Sequence, residues 1–387
     1  MAEPAPPPPP PSGPPPAPPP ATVPTIVPLP PPPSAGEPPP VIVAPAPPAP
    51  APAPEASPEF KKINMGFGMR VGGRFQNSSE RNKLNDTALD QMVIEARFSG
   101  QLTQIFAWQA NFIGEIAANY AAPPAAGGFA GVNILDLIAK LDLDEAFHLW
   151  AGRMLVPSDR SNFSGPWFMS PWNYPGFYPG LAAPVGPKQG PYGRNNGVTA
   201  WGQFMGGKAK YYIGAYDLDD SRVKRFYSGR VNLAILGTEP GFYHSSTYYG
   251  AQDILAIGGG FQYQTDGFAP GANLSIFNAD LLFEKNLGGG GVVTFEGAYH
   301  HSSDGNTFKN AYYLLGSWLT PEKLGIGKLQ PLIRFQQTTD VDRWMLDTFV
   351  TYVVDDYFTR IALGFQHADV GVAPNANMIQ IGVQLQR

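Results

Sequence analysis

Cysteine is absent from the 387-residue chain. Its absence excludes a disulfide framework, a thiolate metal site and a cysteine nucleophile. No run of about 18 or more apolar residues occurs, which excludes a transmembrane helix. An excess of either charge is lacking as well. The net charge is −5, and four of the 31 acids (Glu3, Glu37, Glu55, Glu59) precede Lys61, leaving 27 acids against 26 bases. A remainder so close to balance has no basic face for phosphates, so no nucleic-acid partner is expected. Met1-Ala2-Glu3-Pro4 has neither a basic n-region nor an apolar h-region. A soluble reading takes this at face value; the alternative, favoured by the barrel-like body of the chain, is a mature chain with Met1 added and the export signal removed.

Two compositions are present instead. Residues 1–58 are almost wholly proline, alanine and small apolar residues, with interruptions at 23–29 and 41–44. A polyproline II segment makes no internal hydrogen bonds and buries no core, so this region is expected to be a disordered or PPII arm. It is expected to lie in the periplasm, either as a spacer, as a contact to peptidoglycan or a periplasmic partner, or as an obstruction of the lumen. Residues 59–387 carry a different signal, which is period two. Ile379, Ile381, Val383 and Leu385 alternate with Gln380, Gly382, Gln384 and Gln386, and Met65, Phe67, Met69 and Val71 alternate with Gly66, Gly68 and Arg70. A strand sends successive side chains to opposite faces, so such segments have one apolar and one wet face.

About sixteen strands of this kind are predicted, from 62–76, 90–102 and 105–118 at the start to 346–354, 358–366 and 377–387 at the end. Most are long enough for a tilted strand to cross a hydrocarbon core. The junctions alternate. Thr103-Gln104, Asp144-Glu145, Gly206-Gly207 and Asp355–Tyr357 are short, whereas 77–89, 119–130, 218–227 and 367–376 are long. That is the pattern of periplasmic turns and external loops in an outer-membrane barrel. The junction 237–252 falls on a turn position yet is long. The fold class is thus all-β: a closed transmembrane antiparallel barrel of about 16 strands, because a sheet in lipid cannot leave an edge unpaired. Trp108, Trp150, Trp201, Tyr211, Tyr299, Trp318 and Tyr352 are expected to form girdles at the membrane interfaces.

The third external loop, 157–195, is rich in proline, glycine and aromatic residues. A loop this long is usually functional, and so many aromatics favour folding into the lumen over an external cap or a subunit contact.

The body resembles the phosphate-selective porin O and P family. The resemblance rests on the strand number, on Gly152-Arg153-Met154-Leu155-Val156-Pro157 leading into the third loop, and on Asp253-Ile254-Leu255-Ala256-Ile257-Gly258-Gly259-Gly260-Phe261-Gln262-Tyr263-Gln264. It implies a trimeric outer-membrane porin embedded in lipid. That family's anion selectivity comes from clustered Arg and Lys, and no dense basic run appears, so phosphate selectivity is not carried over.

By alternation the wet face includes Arg70, Arg74, Arg97, Glu115, Lys208, Lys210, Arg230, Asp280, Glu296, Arg334 and Arg360, with Glu95, Asp136, Glu284 and Asp347 among further acids. These are the expected pore-lining residues. They either set a transverse field across the pore or pair with one another to keep its wall solvated. The loop adds Asp159, Arg160, Trp167, Trp172, Lys188 and Arg194 as constriction residues. His300 and His301 are adjacent in a strand, so they point to opposite faces and make no shared ligand site. Gly288–Gly291 lacks the context of a phosphate cradle and reads as a turn. No catalytic set, metal or cofactor is expected. The leading expectation is passive diffusion of small hydrophilic solutes or ions through a pore narrowed by 157–195. The alternative is a structural envelope protein with a plugged barrel that works through its arm.

Overall fold

Alternating side chains become paired backbone along the chain from Ile63 onward. A computed structural model describes residues 63–78, 81–116, 132–175, 193–218, 224–302, 309–340, 343–369 and 376–387. The arm 1–58 lies outside the described residues, as do Lys188 and the side chains of Arg74 and Glu115. The strands are β1 (Ile63–Ser78), β2 (Arg81–Gln101), β3 (Phe106–Ile116), β4 (Val132–Asp144), β5 (Phe147–Leu155), β6 (Arg194–Phe204), β7 (Ala209–Tyr216) and β8 (Phe226–Leu236). They continue as β9 (Ile254–Ala269), β10 (Ala272–Asn286), β11 (Val292–Ser302), β12 (Asn310–Leu319), β13 (Lys328–Thr338), β14 (Arg343–Asp355), β15 (Thr359–Asp369) and β16 (Ala376–Gln386). Among the described residues one helix, α1 (Arg160–Phe168), lies between β5 and β6.

Each strand pairs antiparallel with its neighbours in sequence, and β1 pairs with β16, with Met69 opposite Leu385 and Val71 opposite Val383. The sheet is a closed barrel of sixteen strands. Closure satisfies the backbone groups of both terminal strands, as a sheet in lipid requires.

The two faces differ as the period predicts. On β10, Ile276, Asn278, Asp280, Leu282 and Glu284 are buried, while Phe277 and Leu281 are exposed. Leu314, Ile333, Leu363 and Ile381 likewise stand on the outer surface, more than half exposed. An outer face of Leu, Ile, Val and Phe across so many strands has the chemistry of a surface in contact with hydrocarbon.

Several expectations are corrected. The junction 77–89 is not a long loop, because pairing of β1 with β2 continues out to Ser78 opposite Arg81. Trp150 and Trp201 do not join an interfacial girdle. They share parity with the inward positions and are buried inside the barrel. Lys208 is exposed in the turn 205–208 and does not stand on the wall. Arg194 begins β6 and belongs to the wall, where its Nε lies 3.0 Å from Asp136. The glycines 288–290 do make a turn, all three with positive φ. His300 is buried inside, and His301 is exposed on the other face.

Candidate functional site

The site is the interior of the barrel, and it is built from two segments that leave the wall and enter the lumen. The first follows β5. Its neck is closed where the Val156 amide donates to the Gly193 carbonyl at 3.0 Å. Beyond the neck, residues 156–167 are all buried. The Asp159 carboxylate caps α1 by accepting from the Ser161 amide at 3.0 Å, and the helix is broken at Gly165, with φ of 59°, just before Pro166.

An irregular backbone inside a barrel leaves carbonyls without intrahelical or ladder partners, and each buried one needs a donor. Inward arginines supply them. Arg230 on β8 donates to the Ser158 carbonyl at 2.8 Å, and Arg70 on β1 to that of Trp172 at 2.9 Å. Arg334 on β13 donates to Asn173 and Tyr174, and Arg360 on β15 to Pro166 and Met169. Trp167 donates its indole N–H to Glu95 of β2 at 2.7 Å, beside Arg97, which pairs with the same carboxylate at 3.0 Å. The segment thus crosses from β8 to β15, β1 and β2, and it is held on all those sides.

The second segment, 237–253, joins β8 to β9. By the antiparallel order it enters from the end opposite the first. Lys210 on β7 reaches its carbonyls at Gly241 and Tyr243, and the Tyr212 hydroxyl donates to Phe242 at 2.8 Å. Phe242 packs among Trp150, Trp201 and Phe163, with ring centres 4.5, 5.4 and 5.3 Å away. An aromatic core therefore fills the lumen beside β5–β7.

The two segments meet at Arg160 and Glu239. The guanidinium makes two hydrogen bonds to the carboxylate, at 2.6 and 2.8 Å, and donates to the Ser245 carbonyl at 3.0 Å. Asn232 and Tyr248 complete the carboxylate, at 2.9 and 2.8 Å. Burial disfavours the Glu239 charge, but Arg160 outweighs it, with a hydrogen bond from His244, and the group is held well below the usual carboxylate range. Asp159 is the opposite case. Burial, with Asp280 nearby, pushes it up to about 7 against the pull of Arg230. Asp280 itself is clasped by Arg230 at 2.6 and 2.9 Å. Glu296 accepts from Ser246 of the second segment and from Tyr313, whose oxygen lies 2.9 Å from Ser161 of α1.

The structure thus gathers Arg70, Arg97, Lys210, Arg230, Asp280, Glu296, Arg334 and Arg360 with Asp159, Arg160, Trp167 and Trp172 in one interior network. Paired, hydrogen-bonded charges of this kind tolerate burial that isolated ones do not. Among the described residues no group of three or more His, Asp or Glu is placed to hold a metal ion. Glu239 was not anticipated from sequence. Its signal was the junction 237–252, too long for a turn and carrying Phe242, Tyr243 and His244.

No family model matches the chain, and no curated protein matches its sequence. Solved structures do resemble it. An anion-selective porin from Comamonas acidovorans superposes with a TM-score of 0.56 at 12% identity, covering 84% of this chain and 99% of that one. Salmonella typhi OmpF in complex with daunomycin gives 0.55 at 11%, covering 85% and 99%. The trimer form of Vibrio cholerae OmpT gives 0.51 at 10%, covering 84% and 99%. The fold is that of the sixteen-stranded porins. Within this porin fold, the segment after β5 is the inserted third loop, and 237–253 is a turn enlarged into a second insert.

Proposed function

We propose that the protein is an outer-membrane porin for passive diffusion of small hydrophilic solutes or ions, with the third loop narrowing its path. One observation carries the reading: a closed sixteen-stranded barrel whose outward face is apolar and whose inward face bears charged side chains. No soluble fold needs that inversion, whereas a bilayer does. The pore-lining set is Arg70, Arg97, Lys210, Arg230, Asp280, Glu296, Arg334 and Arg360, and Asp159, Arg160, Trp167 and Trp172 shape the constriction. A homotrimer fits this reading, as Vibrio cholerae OmpT has a trimer form. The phosphate-selective porin O and P family is the finer assignment, supported by Gly152–Pro157 leading into the inserted loop. The arm 1–58 serves as a periplasmic tether to peptidoglycan or a partner. Deleting residues 2–58 is expected to weaken cell-wall association without changing conductance.

A second reading is a plugged structural barrel. It is favoured by the burial of Arg70, Arg334 and Arg360, whose guanidinium groups are engaged by loop carbonyls. Single-channel recording of the full-length protein in a planar bilayer under a salt gradient decides between the two. Stable conductance steps support the porin, and silence from correctly folded, heat-modifiable protein supports the plug.

A further inference from the structure

The connection between β8 and β9 occupies residues 237–253, at the end of the barrel where the other connections have eight residues or fewer, such as 145–146 between β4 and β5 and 356–358 between β14 and β15. A surface turn of that length would stand in solvent. Instead Glu239, Phe242, His244, Ser246 and Thr247 are all at least 97% buried. The chain turns inward at Gly237 and back out at Gly250, with φ of 72° and 80°, a region that glycine enters at no steric cost. Its base is fixed to the wall, where the Glu284 carboxylate accepts from the Gly250 amide at 2.9 Å and the Tyr248 amide at 3.0 Å. Its tip is held both by the wall, through Lys210 and Tyr212, and by the third loop. Arg160 clasps Glu239, Phe163 packs on Phe242 and His244, the Ser246 amide donates to the Phe168 carbonyl at 3.0 Å, and the Ser246 and Ser170 hydroxyls lie 3.3 Å apart.

Behind the insert, the wall carries Lys210, Asn232, Glu284, Thr294 and Glu296, all inward on β7, β8, β10 and β11. Lys210, Asn232, Glu284 and Glu296 each hydrogen-bond the insert, so its departure would leave a charged wall able to line a water-filled path. We propose that 237–253 is a second pore-closing insert, and that the path through the barrel opens when it parts from α1 at the Arg160–Glu239 contact and swings away from the wall. The inference rests on the porin reading. It adds that closure needs two inserts from opposite ends, and that the path lies along β7–β11. That wall has both charge signs, so the open path admits small polar solutes with weak ion preference.

The absence of cysteine makes a direct test available. The full-length S170C/S246C variant, oxidised, ties the tip of the insert to the third loop, and mass spectrometry verifies the bond. Planar-bilayer conductance is then recorded before and after dithiothreitol, beside both single-cysteine variants and E239Q. The expected result is a locked protein conducting at least about tenfold less than wild type, recovering on reduction, with no redox response in the single variants. E239Q removes one charge of the clasp and is expected to shift the open-to-closed ratio by about tenfold toward open. A locked protein that conducts like wild type overturns the proposal and leaves the porin reading standing. If the cross-link does not form, an E239Q channel indistinguishable from wild type overturns it. Silence from the folded wild type, the reduced variant and E239Q alike overturns both.

Discussion

Arg70 holds Trp172 twice: its guanidinium carbon lies 4.1 Å from the centre of the indole ring, and its Nη2 donates to the Trp172 carbonyl at 2.9 Å. One wall residue therefore fixes both the side chain and the backbone of the third loop. The R70A variant removes a charged hydrogen bond and a cation–π contact, about 2 kcal/mol together. If that energy holds the loop closed, trypsin nicking within 157–195 should accelerate by about thirtyfold. R70K keeps the charge but not the planar fork, so it should fall between wild type and R70A. Equal nicking rates in all three would mean that Arg70 does not anchor the loop.

The two loop tryptophans are accommodated by glycines on the inward face. A Cβ added at Gly382 would meet Trp172 at 2.2 Å, and one at Gly68 would meet Trp167 at 2.7 Å. G382A and G68A should therefore displace the indoles, at about 1–3 kcal/mol for overpacking. Red-shifted tryptophan emission and a lower heat-modification temperature would report the displacement. Gly316 on the outward face is the control, because a Cβ there meets Phe295 only at 3.6 Å. G316A should change stability by less than about 0.5 kcal/mol. Unchanged emission in G382A would place Trp172 elsewhere.

These glycines show how far the sequence could be read. Period two located all sixteen strands, because one face must be apolar wherever a strand meets hydrocarbon. It failed at β2, where Arg81-Asn82-Lys83-Leu84-Asn85-Asp86 has no apolar alternation and pairing alone extends the strand. It failed for α1, since Phe163-Ser164-Gly165-Pro166 has no helical period and its carbonyls are satisfied by distant arginines. Residue type suggests a girdle for Trp150 and Trp201, but parity with Met154 on β5 and with Thr199 on β6 sets them inward. Gly68 and Gly382 alternate in phase with Arg70 and Gln384, and close approach of another group was the available explanation for glycine on that face. Glu239 needed the loop-length argument applied to a turn.

Asp159 gives the third loop a pH dependence whose sign can be worked out. Its folded value is raised from 3.8 to about 7, chiefly by burial and then by Asp280. Between those values the native state holds a proton that the unfolded state has lost, so stability falls as pH rises from about 4 to 7 and is flat above. Glu239 and His244 act with the opposite sign, both lying below their ordinary values, His244 through burial and then Lys210. Comparison with D159N isolates the one group, because Asn keeps the helix cap. The wild type should lose heat-modification temperature relative to D159N between pH 4 and 7. A difference that does not vary with pH would sink the assignment.

The outer belt supplies a test of the bilayer reading that does not depend on conductance. Ile381 lies mid-strand on β16, 56% exposed, opposite Leu363 on β15. If that surface faces hydrocarbon, I381R places a guanidinium near the midplane, at a cost of about 2–4 kcal/mol. Leu324 is as exposed, at 63%, but sits in the turn between β12 and β13. There an arginine reaches the headgroups, and L324R should cost about 0–1 kcal/mol. Equilibrium urea unfolding from lipid vesicles measures both. The contrast matters more than either value, because two equally exposed apolar residues differ only in depth. In water, replacing either exposed residue by arginine would be nearly neutral. A large cost at Ile381 and a small one at Leu324 therefore follow from a barrel set across a bilayer and not from the sheet alone. Equal, small costs would remove the belt from the hydrocarbon, and the porin reading with it.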